Sequence, residues 1–113
     1  IADTGRVHAV LGTMFELGER SDEMHVDTGR FAAVTGLSSL VGFGSSGQHL
    51  VDGAHTGDAD LQTLVTEDAS KAAYFLSQQT DVGDLVLVKG SRGAQTERVI
   101  DAFSALTSTE GDA

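Results

Sequence analysis

A short basic segment holds the side chains of this chain that are best suited to bind an anion. It follows the apolar run 85–88 and combines two cations, a hydroxyl and two glycines. Its residues are Lys89, Gly90, Ser91, Arg92 and Gly93. Such groups hold carboxylates and phosphates, and a guanidinium can grip a carboxylate through two parallel hydrogen bonds. We call this segment the basic loop. Spacing alone leaves two interpretations of the basic loop open, an anion site and a solvated loop. Glu97 also has two interpretations. It could pair with Arg92 or a bound amine, or it could be an exposed helix acid.

A glycine-rich segment, Gly42–Gly47, has the spacing G-x-G-x-x-G. This pattern is typical of a turn that rests the pyrophosphate of a dinucleotide on a helix N-terminus. The fingerprint normally follows the first strand of its unit, whereas here it follows the second. The acid expected about 20 residues downstream should end the next strand. Glu67 is near that place but falls in the first turn of a predicted helix. A tight strand-to-helix turn is therefore favoured, and a non-catalytic dinucleotide-binding module is the alternative from another functional class.

Other kinds of site are disfavoured by composition. The histidines His8, His25, His49 and His55 have no metal-ligand spacing, and no Ser-His-Asp arrangement follows from spacing, so we expect no metal site. The absence of cysteine excludes disulfides and thiolate chemistry. A net charge of −10 with 5% aromatic residues disfavours nucleic acid and anionic membranes. The apolar runs are too short for membrane insertion.

Four strand-like runs, each followed by a helical stretch, must position these groups. The strands are predicted at 7–11, 39–43, 61–65 and 85–88. This alternation predicts one α/β domain over residues 1–113, a three-layer Rossmann-like and mostly parallel sheet with helices on both faces. Ligands bind such sheets at the carboxyl ends of the strands, so the loops 12–20, 43–47 and 89–93 are the candidates for function.

Several local features are also predicted. Ser21 and Thr66 are expected to cap the first and third helices. The core-facing side of the first helix is expected to hold Met24, Thr28, Phe31, Ala32 and Thr35. The second helix is expected to be short, 48–52, with a mobile polar loop at 53–60. The strand at 85–88 is apolar on both faces, as in a central parallel strand, and residues 107–113 are expected to form a disordered tail.

Two segments of this chain resemble one enzyme family. Gly12–Gly18 with Ser21 and His25 resembles the G-D-M-x-E-L-G-x-x-S-x-x-x-H signature of the UDP-N-acetylmuramoyl-tripeptide:D-alanyl-D-alanine ligases, which are Mur ligases. Residues 86–92 with Glu97 resemble their V-L-V-K-G-S-R block and its downstream glutamate. The resemblance runs from about residue 6 to residue 106 and suggests the C-terminal domain of such a ligase.

The resemblance implies a cytoplasmic, monomeric full-length enzyme that uses ATP and Mg²⁺ to phosphorylate the carboxylate of UDP-MurNAc-tripeptide. The amine of D-Ala-D-Ala then attacks the acyl phosphate. The C-terminal domain closes over the central domain and brings the dipeptide. Alone, this chain is expected to bind no cofactor tightly, to contain no catalytic residue and to be inactive. Another Mur-type ligase or a folylpolyglutamate synthase-like ligase is the alternative within this chemistry.

The resemblance also implies roles for individual residues. Substrate binding falls to Lys89, Gly90, Ser91, Arg92 and Glu97, and the residues expected to face the cleft are Thr13, Glu16 and His25. Thr13 departs from the family pattern, which has aspartate there. The family domain also begins earlier, with a strand, a loop and a helix that precede the first strand found here. Without them we expect an exposed sheet edge through which the chain could associate.

Overall fold

Four parallel strands form the sheet in this computed structural model, which describes residues 5–15, 18–90 and 94–111, with side chains up to 106. The strands are β1 (Val7–Gly12), β2 (Ser39–Phe43), β3 (Gln62–Thr66) and β4 (Leu85–Lys89). Their order across the sheet is β3-β2-β1-β4. In this register Val10 of β1 lies beside Val41 of β2 and Val88 of β4, so the carboxyl ends of all four strands meet at one edge.

Helices cover both faces of the sheet, which confirms the predicted α/β architecture. They are α1 (Ser21–Val34), α2 (Gly47–Gly57), α3 (Ala69–Gln79) and α4 (Glu97–Gly111), with a 3-10 turn at Gly18–Arg20 before α1. Neighbouring residues of a strand point to opposite faces. Ala9 accordingly packs with the core under α1 and α2, and Val10 with the core under α3 and α4. None of the helices described is long and apolar enough to cross a membrane.

The two helices on the first face are in backbone contact, and this contact overturns the predicted core face of α1. A Cβ at Gly29 of α1 would collide with the carbonyl oxygen of Leu50, and one at Gly53 of α2 with that of Val26. The buried residues of α1 are therefore small or polar, namely His25, Gly29 and Ala33. Met24 and Phe31, predicted to be buried, are 39% and 71% exposed.

The helix ends also differ from the prediction. Ser21 is the first residue of α1, and among the described residues no side chain caps that helix. Asp68 rather than Thr66 caps α3, because its carboxylate accepts the amides of Ser70 and Lys71 while Thr66 is still part of β3.

Two predicted loops are partly helical. The contact with α1 extends α2 to Gly57, so most of the predicted polar loop 53–60 is helix, and Gly53 and Ala54 are buried. α4 continues to Gly111, so the predicted disordered tail is helical over residues 107–111.

β4 lies at an edge of the sheet and is not the central strand that its apolar run predicts. Within the ranges described it pairs with β1 alone. Val86 and Val88 pack against the core under α3 and α4. Leu85 and Leu87 point to the other face, where they are 54% and 50% exposed. Among the described residues, Leu85 and Leu87 therefore form an exposed apolar strip on β4.

Candidate functional site

The loops at the carboxyl ends of the strands surround a polar cavity of about 260 Å³, here called the carboxyl-edge pocket. It is lined by Thr13, Phe15, Phe43, Gly44, Ser45, Glu67, Ala94, Gln95 and Arg98. These residues follow β1, β2 and β3 and begin α4, so the topology brings together groups from distant parts of the chain. The pocket offers a guanidinium, a carboxylate and two aromatic rings, a set suited to a ligand that carries both charges and some apolar surface.

Thr13 joins the loops after β1 and β2. Its amide donates to the carbonyl of Phe43 at 3.1 Å, and its hydroxyl accepts the amide of Ser46 at 3.0 Å. It is only 5% exposed, although it lines the pocket. The hydroxyl that stands in place of the family aspartate therefore holds the β2 turn.

Backbone hydrogen bonds within the G-x-G-x-x-G segment and to β3 hold it in place. The amide of Gly44 donates to the carbonyl of Thr66 at 3.0 Å, and that of Gly47 to the carbonyl of Gly44 at 3.1 Å. Gly44 has a φ of +102°, which favours glycine, and a Cβ there would collide with the hydroxyl of Thr13. Amides that would hold a pyrophosphate are thus already used, which favours the tight-turn interpretation.

The approach to α4 contains a strained residue. Gln95 has a φ of 58°, in the left-handed region that non-glycine residues rarely adopt. Its carbonyl accepts the amide of Arg98 at 3.0 Å, and its side-chain oxygen accepts Nη1 of Arg98 at 3.2 Å. These bonds set the start of α4 and hold Arg98 at the pocket, which is the kind of place where such strain is retained.

The basic loop is only partly described. Lys89 ends β4 beside Leu11 of β1. Lys89 and Gly90 line a second cavity of about 240 Å³. This cavity also contacts Met14, Thr28 and Leu50, on the face covered by α1 and α2. Lys89 and Arg98 therefore border different cavities. Ser91 and Arg92, together with Glu16, lie outside the described residues.

The structure separates the other predicted site residues. Glu97 is exposed in the first turn of α4 and does not line the carboxyl-edge pocket. His25 is completely buried, so the expectation that it faces the cleft is corrected. Arg98, Gln95 and Glu67 do line the pocket, although no spacing or motif groups them. Glu67 directly follows β3, and Gln95 and Arg98 flank the start of α4, so closeness to the carboxyl ends of the strands was the available signal.

A Ser-His-Asp hydrogen-bond chain, which spacing did not indicate, lies at the opposite edge of the sheet. His8 Nδ1 is 2.7 Å from Ser39 Oγ, and its Nε2 is 2.8 Å from Asp84 Oδ2. Backbone amides of Arg6 and Asp81, and then His8, hold the pKa of Asp84 well below its usual range. Ser39 and His8 have no exposed surface, so this chain of bonds is structural and not a nucleophile site.

A family model and three solved structures relate this chain to the Mur ligases. The family model described as "Mur ligase, glutamate ligase domain" matches residues 1–92. The crystal structure of a MurF ligase from Thermotoga maritima in complex with ADP is 30% identical, with a TM-score of 0.79, over 94% of this chain and 23% of that one. Two crystal structures of MurF from Acinetobacter baumannii are 26% identical, with TM-scores of 0.76 and 0.72.

The coverage of the two Acinetobacter baumannii structures is similar. The matches take in 91% and 87% of this chain, and 23% and 21% of those chains. The chain thus spans less than a quarter of the length of these structures. Among curated proteins, no sequence matches.

Proposed function

Because this chain belongs to the Mur ligase family as its C-terminal, glutamate ligase domain, we propose that it positions the incoming substrate in an ATP-dependent peptidoglycan-precursor ligase. The proposed reaction adds D-Ala-D-Ala to UDP-MurNAc-tripeptide through an acyl phosphate, in a monomeric cytoplasmic enzyme. Two observations support this proposal, namely the likeness to MurF structures and the K-G-S-R order of the basic loop.

The observation that carries the proposal is the presence of both a cation and an anion at the carboxyl-edge pocket. Arg98 supplies a cation and Glu67 an anion on the rim of one cavity. A dipeptide zwitterion needs both, and the methyl groups of D-Ala-D-Ala suit the rings of Phe15 and Phe43. This edge is also where parallel sheets bind their ligands.

The basic loop, at the end of β4, is proposed to contribute from the neighbouring cavity that Lys89 and Gly90 line. Lys89, Ser91 and Arg92 hold the dipeptide carboxylate or a phosphate oxygen, with Gly90 allowing close approach and Glu97 orienting the loop. These residues act by binding and orienting the amine, and closure of the domain excludes water from the acyl phosphate.

ATP and Mg²⁺ are proposed to bind mainly outside this chain. The described residues contain no cluster of three or more histidines or acids that could hold a metal ion. The amides of Gly44, Ser46 and Gly47, which are candidates for phosphate binding, are engaged by protein oxygens. No catalytic step is therefore assigned to a metal or nucleotide held by this chain.

The test uses the ligase polypeptide that contains this chain. ADP release should require D-Ala-D-Ala and UDP-MurNAc-tripeptide together. Arg92→Ala and Arg98→Ala should each raise the KM for the dipeptide at least about tenfold, as expected for a lost charged hydrogen bond. Arg30→Ala is the control, because Arg30 is exposed on α1 and pairs only loosely with Asp27, at 3.4 Å.

Other outcomes would overturn parts of the proposal. An unchanged dipeptide KM and turnover in Arg92→Ala would remove the basic loop from the site. Activity with a single amino acid in place of the dipeptide would indicate another Mur-type or folylpolyglutamate synthase-like ligase. Micromolar NAD(H) binding to this chain in calorimetry would instead support the dinucleotide-binding module at Gly42–Gly47.

A further inference from the structure

One imidazole bridges the two ends of the loop that follows β1, residues 13–20. His25, completely buried in α1, accepts the amide of Met14 at its Nε2, at 2.8 Å. Its Nδ1 lies 2.6 Å from the carbonyl oxygen of Ser21. Met14 is near the start of the loop and Ser21 directly follows its end. Because helical side chains point back toward the helix N-terminus, a histidine one turn into α1 can reach across the base of the loop.

The two partners fix the proton on this imidazole. A backbone amide can only donate and a backbone carbonyl can only accept. Nε2 of His25 must therefore be bare and Nδ1 must carry the hydrogen, which makes the ring neutral. With both nitrogens bonded to backbone, His25 has no nitrogen left for a substrate proton or a metal ion. Its effect on the site must pass through the backbone that it holds.

That backbone leads directly to the carboxyl-edge pocket. Met14 stands between Thr13 and Phe15, and both of these line the cavity. Thr13 is fixed from the other side by Phe43 and Ser46 of the β2 turn. The bond from His25 to Met14 therefore ties the pocket wall to α1.

We propose that His25 is a positioning residue that clamps the loop after β1 and so sets Phe15 in the wall of the carboxyl-edge pocket. The substrate role of the pocket rests on the proposed function, whereas the clamp itself does not. The clamp is measured on this chain without substrate. A failure of the clamp is therefore distinguishable from a failure of the ligase assignment.

The test is nuclear magnetic resonance on the chain, on three variants of His25 and on one control variant. Long-range ¹H–¹⁵N spectra of the wild type should show His25 with its hydrogen on Nδ1. In His25→Ala, hydrogen exchange at the Met14 amide should accelerate about tenfold, as expected for one lost buried hydrogen bond. The ring signals of Phe15 should shift, while the amides of Val10 and Val41 in the sheet should exchange as before.

Two amide variants separate the clamp from general packing. Gln places its terminal oxygen near the position of Nε2 and can accept the Met14 amide, whereas Asn reaches only the position of Nδ1. His25→Gln should therefore restore most of the Met14 protection and the Phe15 signals, and His25→Asn should not. His49→Ala is the control, because His49 is a half-exposed histidine on α2 that pairs with Asp22.

Either of two results would overturn the clamp. The first is a wild-type His25 with its hydrogen on Nε2, or with both nitrogens protonated at neutral pH. The second is equal Met14 protection in His25→Gln and His25→Asn, which would show that bulk at position 25 matters and the Nε2 acceptor does not. The tautomer measurement decides even if His25→Ala fails to fold.

Discussion

Nε2 of His8 donates to Oδ2 of Asp84 at 2.8 Å, although the two residues are 76 positions apart in the sequence. The bond ties the start of β1 to the residue just before β4, the strand at the sheet edge. The carboxylate also accepts the amides of Arg6 and Asp81. Since its other partners only donate, Asp84 is held as a carboxylate at the amino edge of the sheet.

Asp84→Asn should lower the free energy of unfolding at neutral pH, because three donors then face a neutral amide. The pKa of Asp84 is depressed in the folded state. The stabilisation is therefore complete above the ordinary carboxyl pKa of about 3.9 and is lost as pH falls below it. In urea unfolding, the difference in free energy of unfolding between wild type and variant should be constant from about pH 7 to about pH 5. It should become smaller below about pH 4.

The control for Asp84 is Asp81→Asn. The Asp81 carboxylate is 82% exposed and bonds Arg6 at the surface, so its removal should have little effect. If the difference in free energy of unfolding between wild type and Asp84→Asn stays constant down to the most acidic measurable pH, the stabilising role of the charge is contradicted.

Gly29→Ala should destabilise the chain by about 1–3 kcal/mol, since overpacking of a tight contact has this cost. The added methyl group would meet the backbone of Leu50 in α2, and neither helix can move without disturbing the core. Thermal and urea unfolding measure the change. Arg30→Ala, at the next and exposed position of α1, should be within about 0.5 kcal/mol of wild type. Equal stability of Gly29→Ala would mean that α1 and α2 are not in backbone contact.

The sequence predicted the strands well and the buried face of α1 poorly, for different physical reasons. Buried parallel strands need continuous apolar runs, so Ser39–Phe43 was predicted to the residue. The face of α1 was wrong because a helix that packs through glycine buries little apolar surface, which leaves Phe31 outside. The edge position of β4 was missed because its apolar run cannot show which neighbours the strand has.

A residue of the site could be predicted from the sequence only where it belongs to a motif of neighbouring residues. Thr13 was identified because it lies within a signature, and it does line the pocket. Arg98 and Glu67 were missed because a surface cation or acid has no periodic signal until the fold places it beside its neighbours. The bond between His8 and Asp84 was missed because the two residues are 76 positions apart and meet only when β1 and β4 lie side by side.

The uncovered strip on β4 predicts weak self-association of this chain. Leu85 and Leu87 are half exposed on an edge strand, and such edges pair with other chains. Salt should strengthen the association, because it screens repulsion between molecules of net charge −10. Sedimentation equilibrium should show a larger mean mass at high salt, and Leu85→Ser with Leu87→Ser should restore the monomer. Val82→Ser is the matched control, since Val82 is fully exposed in a turn. A wild-type monomer under all these conditions would refute the prediction.

Substitutions at Thr13 should separate its structural role from the chemistry of the family aspartate. Thr13→Val keeps the shape but leaves the amide of Ser46 without its acceptor, and an unsatisfied buried donor costs about 1–3 kcal/mol. Thr13→Asp restores an acceptor, so it should be more stable than Thr13→Val in urea unfolding. Hydrogen exchange at the Ser46 amide should follow the same order, fastest in Thr13→Val, while the Met14 amide stays protected by His25. Equal exchange in both variants would show that another acceptor holds Ser46, and that the hydroxyl of Thr13 is free to face a ligand.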